Sequence, residues 1–380
     1  MMNTGDLPRA FGALPGTARF RVHPEDFFVD EELPFTPDGA GEHLLVQVEK
    51  RNNNTAWVAQ RLSQFAGIHP RLVSFSGRKD RHAVTRQWFS LQLTGLPDPD
   101  WSLLTEPGVQ VLAAHRHGRK LRTGTHRLNR FVIVLRDVDA DPAAVDARLE
   151  RIAAEGVPNY FGEQRFGMPS VVGDAAAEDT RAVGGNLALA RAAVASGRLP
   201  SNPGRRGMVI STLRSAIFNE VLAARVADGS WSRILPGELV MLDGAGGRWF
   251  AEDGDPVLAQ RCAALDIHPG GPLIGTGGAQ PSGVAAELEA HITGRYDDAL
   301  AALARWRVES DRRALRSRVV DLAHEWPEPG VLRLSFTLWR GCYATAVLRE
   351  LLCCVDASAG RGDSRDAEAG GSNDTGALDD

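Results

Sequence analysis

The chain has 380 residues and a formal net charge of −5, and 43% of its residues are hydrophobic and 24% charged. This length can bury a large core and predicts two domains. No apolar run reaches the length of a bilayer span, and residues 1–14 lack a basic segment followed by an apolar core. We therefore expect neither a membrane-spanning helix nor a signal peptide.

The first part of the chain reads as strands mixed with helices. Alternating apolar residues and turn signals predict strands at Ala18–Val22, Phe28–Leu33, His43–Glu49, Leu72–Phe75, Trp88–Leu93 and Arg130–Leu135. Helical spacing predicts helices from Asn54 or Thr55 to Phe65, where Gly67 ends the pattern, and over Pro142–Ala154.

The composition changes after Val157, where residues 158–170 are rich in aromatics and glycine. Helices are predicted at about 173–197, 208–227, 284–293, 297–306 and Tyr343–Cys353, and strand character at Glu238–Phe250 and Val331–Leu338. The glycines of 270–283 predict a mobile connection. Residues 356–380 hold hardly any large apolar side chain, so we expect a disordered acidic tail there.

Asp80 is the one acidic residue between Lys50 and Pro97, a stretch that also holds eight basic residues. Nearby positive charge favours the ionised carboxylate, which makes Asp80 a candidate nucleophile. The two predicted strands around it put it in a loop that is fixed at both ends, a common setting for catalytic groups. The alternative is an ordinary loop ion pair with Arg78 or Arg81, which would contribute little.

The distribution of charge favours a polyanionic partner more than the net charge does. Residues 356–380 carry seven acids and two arginines, so the rest of the chain is formally neutral. Residues 107–136 contain no acid and seven basic residues. Two base-rich windows predict a surface for a polyanion such as RNA. The alternative is a solvated face in an arginine-rich composition, since only three of the 43 basic residues are lysines.

Other site chemistries find little support in the sequence. No second acid lies near Asp80, the glycine spacing of a phosphate loop is absent, and the ten histidines show no metal-binding pattern. The four cysteines lack CxxC spacing, so we expect reduced thiols in a cytoplasmic protein, without disulfides or zinc. From local sequence alone, Phe27 is a core residue, Asn129 a turn or cap residue, and Tyr343 an aromatic that packs at a helix start.

Four segments in order resemble the TruD family of tRNA pseudouridine synthases. The run Gly77–Gln87, which reads Gly-Arg-Lys-Asp-Arg-His-Ala-Val-Thr-Arg-Gln, resembles the signature of the family. Arg21–Glu31 resembles its opening segment, Asn159–Gly167 the entrance to its inserted domain, and Tyr343–Leu351 its closing helix. The resemblance covers about residues 17–355.

The resemblance implies conversion of uridine 13 of tRNA to pseudouridine, with Asp80 as the nucleophile and no cofactor or metal. It also implies that Phe27 stacks on the flipped base and that Asn129 forms hydrogen bonds near the target nucleotide. Tyr343 stands where the family usually has phenylalanine, and Arg21 where it often has lysine. Lys79 is the cation expected to keep the nucleophile ionised or to contact a neighbouring phosphate.

The resemblance further implies an α+β fold in which a pseudouridine-synthase catalytic domain with a mixed sheet is interrupted by an inserted domain. We expect the catalytic domain at 1–155 and 305–355 and the insertion at 156–304. A cleft walled by the basic runs at 71–86 and 115–136 would hold tRNA, and we expect a monomer without a protein partner. An RNA-binding protein without turnover and a carboxylate-based hydrolase remain the alternatives.

Overall fold

The computed structural model describes residues 6–167, 169–171, 182–244, 248–250 and 255–359, which form an α+β fold as predicted. The helices are α1 Thr55–Phe65, α2 Pro142–Glu155, α3 Glu163–Phe166, α4 Gly185–Ser196, α5 Pro203–Ala227, α6 Pro256–Ala263, α7 Gly283–Thr293, α8 Asp297–Arg305 and α9 Ala344–Leu351. The strands are β1 Gly16–Phe20, β2 Phe27–Glu32, β3 His43–Arg51, β4 Val73–Phe75, β5 Val84–Gln92, β6 Val109–His117, β7 Leu128–Ala140, β8 Val157–Pro158, β9 Pro169–Val171, β10 Ala182–Gly184, β11 Leu239–Leu242, β12 Arg248–Phe250, β13 Ile267–Leu273, β14 Asp311–Ala314, β15 Arg316–Ser317, β16 Val320–Glu328, β17 Val331–Trp339 and β18 Cys353–Asp356. No helix in these ranges is long and apolar enough to cross a bilayer.

A mixed ten-stranded sheet is the main scaffold of the molecule. Its central path runs β16–β17–β7–β2–β5–β3–β6, while β1 pairs with β7 and β18, and β4 pairs with β5. The pairs β2–β5 and β1–β18 are parallel. On β2 and β7, Phe27 lies opposite Ile133 and Glu31 lies opposite Asn129. This register brings two of the predicted site residues, Phe27 and Asn129, onto adjacent central strands.

Apolar burial makes one end of this sheet a stable base for the loop that follows β4. Leu44, Val46 and Val48 of β3 are fully buried and pack with Val58 and Leu62 of α1. Burying each such side chain contributes about 1.5–3 kcal/mol. Both apolar residues of β4 pack against the same cluster. The strands before and after the Asp80 loop are therefore anchored in one core.

A four-stranded sheet, β12–β11–β13–β14, forms a second unit together with helices between α4 and α8. Its longest helix, α5, begins at Pro203, and the Asn202 side chain accepts a hydrogen bond from Arg205 N at 3.0 Å. The strand β14 belongs to this sheet because it pairs with β13. After β14 the chain re-enters the large sheet with β16, which begins at Val320.

Part of the predicted glycine loop is a strand. The sequence predicted a mobile connection over 270–283, but Gly270 and Gly271 lie in β13 and pair with β14. A Cβ atom at Gly270 would lie 2.6 Å from the Leu239 carbonyl oxygen, and one at Gly271 would lie 2.5 Å from the Leu315 side chain. Close packing, rather than mobility, requires glycine at both positions.

Other elements differ from the predictions in smaller ways. The nine-residue strands β6 and β16 were not predicted. Within the helix predicted at 173–197, residues 182–184 are the strand β10 and the helix begins at Gly185. Residues 172–181 lie outside the described ranges.

The chain remains ordered at the start of the predicted tail. The closing helix ends at Leu351, and the next residues form β18, which pairs with β1 and extends to Asp356. A turn follows as far as residue 359. The sequence analysis started the disordered tail at 356, but Asp356 is paired with β1, and the turn at 357–359 is closed by a hydrogen bond from Ala359 N to the Asp356 carbonyl. Residues 360–380 lie outside the described ranges.

Candidate active site

Asp80 lies in the loop between β4 and β5, as predicted from the two strands. Two buried side chains fix the backbone of this loop. Thr55 Oγ1 accepts a hydrogen bond from Lys79 N at 3.0 Å, and Lys50 Nζ donates one to the carbonyl oxygen of Asp80 at 2.7 Å. Both anchors come from regular elements, α1 and β3, so the sheet core determines where Asp80 lies.

Lys50 is fully buried beneath this loop. Loss of hydration lowers the pKa of its ammonium group to about 7, although the charge of Asp80 acts in the opposite direction. The sequence counted Lys50 among the cations available to a polyanion. The structure corrects this, because the side chain supports the loop from inside and does not face solvent.

The Asp80 carboxylate has partners on both oxygens and still remains accessible. Oδ2 lies 3.0 Å from Arg21 Nη2, and Oδ1 accepts a hydrogen bond from Gln164 Nε2 at 3.1 Å. The side chain of Asp80 is 31% exposed, whereas that of Arg21 is 5% exposed. A substrate can therefore reach a carboxylate whose orientation is already set.

Arg21 follows directly after β1, at a left-handed backbone conformation with φ +57°. Its guanidinium carbon lies 4.3 Å from the centroid of the Phe27 ring, a cation–π distance. The structure thus brings together Arg21, Phe27 and Asp80, three residues that the sequence analysis proposed for one site.

Lys79, next to Asp80 in the chain, forms an ion pair with a buried carboxylate on β2. Its Nζ lies 2.5 Å from Glu31 Oε2, and the Glu31 side chain is fully buried. Glu31 Oε1 also accepts a hydrogen bond from Trp88 N at 3.3 Å. Arg21 contacts the Asp80 carboxylate, whereas the ammonium group of Lys79 is paired with Glu31. Glu31 was hidden from sequence reasoning because it is distant along the chain.

Phe27 and Asn129 occupy the wall of the cavity in front of Asp80. Phe27 is only 1% exposed, and its ring packs edge-on against Phe131 at 6.1 Å between centroids. Phe27 is thus also a core residue, as its local sequence suggested, and the Arg21 guanidinium lies over one face of its ring. Asn129 is 7% exposed, and its Oδ1 has no hydrogen-bond partner among the described residues. Because buried polar atoms normally have a partner, this oxygen marks Asn129 as a candidate for contact with a ligand.

Tyr343 lies on the opposite wall, within a cluster of aromatics and arginines. Its hydroxyl accepts a hydrogen bond from Arg165 Nη2 at 3.0 Å. The Arg313 guanidinium lies 4.2 Å from the Phe161 ring centroid and donates to Asn159 Oδ1 at 2.6 Å. Burial lowers the pKa of Arg313 from its ordinary value. The Tyr343 hydroxyl, absent from phenylalanine, thus serves to hold Arg165.

The walls enclose a cavity of about 610 Å³, within the usual range of ligand pockets. Its arginines are Arg21, Arg78, Arg165, Arg214, Arg312, Arg313, Arg316, Arg318 and Arg340. The predicted run at 71–86 contributes to this wall. The run at 115–136, which the structure describes in full, contributes His126 and Asn129 to the lining but none of its lysines or arginines. Most of the positive lining comes from residues between 165 and 340, and four of these arginines lie within 312–318, a base-rich run that the sequence analysis did not single out.

Two further groups in the cavity wall were missed by the sequence analysis. Asp243 joins the two sheets, because it accepts hydrogen bonds from Trp339 Nε1 and pairs with His268 Nε2, both at 2.9 Å. Burial lowers the pKa of His126 to about 4, with the positive charge of Lys79 acting in the same direction. His126 is therefore neutral at physiological pH. Neither group has a local motif that could have identified it.

Comparisons with known proteins agree with this architecture. The family model described as "tRNA pseudouridine synthase D (TruD)" matches residues 12–179 and 190–351. A protein of Xanthomonas campestris pv. campestris (strain 8004) named "tRNA pseudouridine synthase D" is 45% identical over 371 residues, covering 94% of this chain and 97% of the relative. A protein of Pseudomonas aeruginosa with the same name is 44% identical over 353 residues, covering 92% of this chain and 94% of the relative.

A solved structure has the same fold. It is described as the putative tRNA pseudouridine synthase D (TruD) from Methanosarcina mazei, and it superposes with a TM-score of 0.66 at 20% sequence identity. The match covers 92% of this chain and 96% of the other. At this identity the likeness concerns the fold alone.

Proposed function

The chain belongs to the TruD family of tRNA pseudouridine synthases, and from this premise we propose that it isomerises uridine 13 of tRNA to pseudouridine with Asp80 as the nucleophile. The observation that carries the proposal is the state of the Asp80 carboxylate. It is 31% exposed towards a cavity, while Arg21 and Gln164 hold its two oxygens and Lys50 holds its backbone. Such preorganisation is what a reacting group requires.

The reaction breaks the N1–C1′ bond of the nucleotide and forms a C5–C1′ bond. An ionised carboxylate can stabilise positive character at C1′ or attack the base, forming a covalent intermediate in the second case. The detached uracil then turns and rejoins through C5, losing the C5 proton, while N1 takes up a proton. Every atom of the product comes from the substrate or from these proton transfers, so the proposed reaction needs no cofactor.

We propose that the cavity wall formed by Asn129 and Phe27 recognises the base. The unpartnered Oδ1 of Asn129 can accept the N3–H of uracil, which cytosine lacks. Phe27 is proposed to support the flipped base from the floor of the cavity. Because the Arg21 guanidinium lies over the Phe27 ring, Arg21 would share that contact or move aside.

The arginines of the cavity wall support an RNA substrate, since guanidinium groups bind phosphate and stack on bases. We propose tRNA as the partner of a monomeric, cytoplasmic enzyme. Displacing the target base from its stack costs a few kcal/mol of free energy, and contacts inside the cavity must offset this cost.

The alternatives gain no specific support. A binding protein without turnover has no use for a carboxylate that two side chains hold in place and that would repel phosphates. A hydrolase would need a second free acid, but the other acids that line the cavity are engaged: Asp243 is held by His268 and Trp339, and Asp311 accepts a hydrogen bond from Arg312 N at 2.8 Å.

The test uses the full chain and an unmodified tRNA transcript, with pseudouridine mapped by carbodiimide treatment and reverse-transcription stops. We expect one enzyme-dependent stop at position 13. A matched transcript with cytidine at that position should give none. A stop at another uridine would support pseudouridine formation but refute position 13 as the target. The absence of any stop would refute the proposed function.

A further inference from the structure

Asp356 is an acidic residue beside the cavity that no part of the proposed chemistry uses. It is the last residue of β18 and lies beyond residue 351, where the match to the family model ends. Its strand pairs in parallel with β1, which places Asp356 opposite Phe20, next to Arg21. Ala357 N also donates a hydrogen bond to the Phe20 carbonyl at 3.0 Å.

The carboxylate of Asp356 is held on both oxygens. Oδ1 accepts hydrogen bonds from Ser358 N at 2.9 Å and from Ser358 Oγ at 2.6 Å. Oδ2 accepts one from Arg21 Nη1 at 2.8 Å. The local turn therefore fixes the orientation of the carboxylate before Arg21 is considered.

Arg21 in turn bridges two carboxylates through different nitrogens. Nη1 contacts Asp356, and Nη2 contacts Asp80 at 3.0 Å. The planar guanidinium is 5% exposed and lies over Phe27. Because its nitrogens form a rigid fork, occupation of Nη1 determines the direction in which Nη2 donates.

We propose that Asp356 is a positioning residue, which holds Arg21 so that a single guanidinium nitrogen contacts Asp80. Without the Asp356 charge, Arg21 can turn both outer nitrogens towards Asp80 in the bidentate geometry that guanidinium–carboxylate pairs favour. That pairing would bring a second guanidinium nitrogen to Oδ1, the oxygen that now accepts from Gln164, and would change the orientation of the carboxylate. The inference rests on the proposed role of Asp80.

The experiment compares the full chain with its Asp356→Asn variant. The variant keeps an oxygen that can accept from Ser358 but removes the negative charge that pairs with Arg21. At saturating tRNA we expect the single-turnover rate to fall roughly tenfold, the effect of losing one charge-assisted hydrogen bond. Affinity for tRNA should stay within about twofold, because the residue acts on the reacting group. The control is Asp137→Asn, which removes an exposed partner of Arg19 at 3.0 Å and should leave the rate unchanged.

A double-mutant cycle separates positioning from a general structural role. In an Arg21→Met background, Asp356→Asn should cause no further loss of rate, because the group through which it acts is gone. Equal losses in both backgrounds, or an unchanged rate in the single variant, would overturn the proposal. The NMR signal of the isotope-labelled Arg21 side chain provides a readout without turnover. If the proposed function fails, the parent enzyme will form no pseudouridine. If the positioning role fails, the Arg21 NMR signal will be the same in Asp356→Asn as in the parent.

Discussion

Two arginine–carboxylate pairs of similar length lie in the two sheet units of this molecule. In the smaller unit, Arg225 Nη1 lies 2.8 Å from Glu238 Oε1, and the two side chains are 2% and 0% exposed. In the cavity, Arg21 Nη2 lies 3.0 Å from Asp80 Oδ2, and the carboxylate is 31% exposed. Arg225 also donates to the carbonyls of Ser230 and Arg233, both at 2.8 Å, and is enclosed by protein.

The two ion pairs differ in how accessible the carboxylate is to a ligand, and not in the distance between the charged groups. The second oxygen of Glu238 is occupied by Arg225 Nη2 at 3.1 Å and by Leu235 N at 2.8 Å, so the pair is complete without a ligand. Asp80 is oriented as firmly but opens onto a cavity. A buried pair is costly to break, whereas an open one can be altered with little effect on stability. The two pairs should therefore respond to mutation in opposite ways.

The largest effect on stability is expected for Glu238→Gln. The variant leaves the Arg225 charge buried without a counter-charge, which should cost about 3–5 kcal/mol of unfolding free energy. Urea unfolding monitored by circular dichroism measures the loss. The rate per folded molecule should not change, since Glu238 does not line the cavity.

The matched control for that experiment is Glu325→Gln. Glu325 pairs with Arg333 at 2.6 Å, but the side chains are 57% and 50% exposed. Loss of this pair should cost only about 0–1 kcal/mol. Equal losses in the two variants would remove burial as the explanation for the difference.

Lys50 predicts a pH dependence of stability. Its pKa falls from 10.5 in the unfolded chain to about 7 in the folded protein. Above pH 7 the unfolded state binds the extra proton, so the unfolding free energy rises with pH between about 7 and 10, by at most about 1.4 kcal/mol per pH unit from this group. Lys50→Met should flatten the slope, as denaturation at pH 7, 8 and 9 would reveal. An unchanged slope would contradict the shifted pKa.

A smaller effect is expected for Gln164, which lies in α3 and contacts the Asp80 carboxylate. Gln164→Leu removes the donor to Asp80 Oδ1 at 3.1 Å. Because the contact is exposed, we expect roughly a fivefold fall in single-turnover rate, or about 1 kcal/mol, without loss of stability. Gln64→Leu is the control, since Gln64 contacts Arg61 on the exposed face of α1. Equal rates in both variants would exclude a role for Gln164.

Local pattern was sufficient for much of the large sheet. The helix α1 and the strands β3, β5 and β17 were predicted because apolar residues recur at the period of each element. The strand β14 was missed because three of its four residues are charged, and β13 because its glycines serve close packing. These features depend on a partner strand that local sequence cannot reveal.

The same limit applies to the site. The charge pattern singled out Asp80, and the family resemblance added Arg21, Phe27 and Asn129, all of which line one cavity. The pairing of Lys79 with Glu31 was not predicted, because it joins residues on different elements. Four arginines of the positive wall stand within 312–318, a run that the sequence analysis overlooked, whereas Arg165, Arg214 and Arg340 are brought to it only by folding.

The most direct test of the central claim is Asp80→Asn, with the pseudouridine-forming rate and the tRNA dissociation constant measured on the same preparation. If Asp80 is the nucleophile, the rate should fall below detection while the dissociation constant changes by less than about threefold. Asp98→Asn, which removes the 52%-exposed partner of Arg116 at 2.6 Å, should retain the parent rate. A retained rate in Asp80→Asn, or a loss of affinity equal to the loss of rate, would contradict the account.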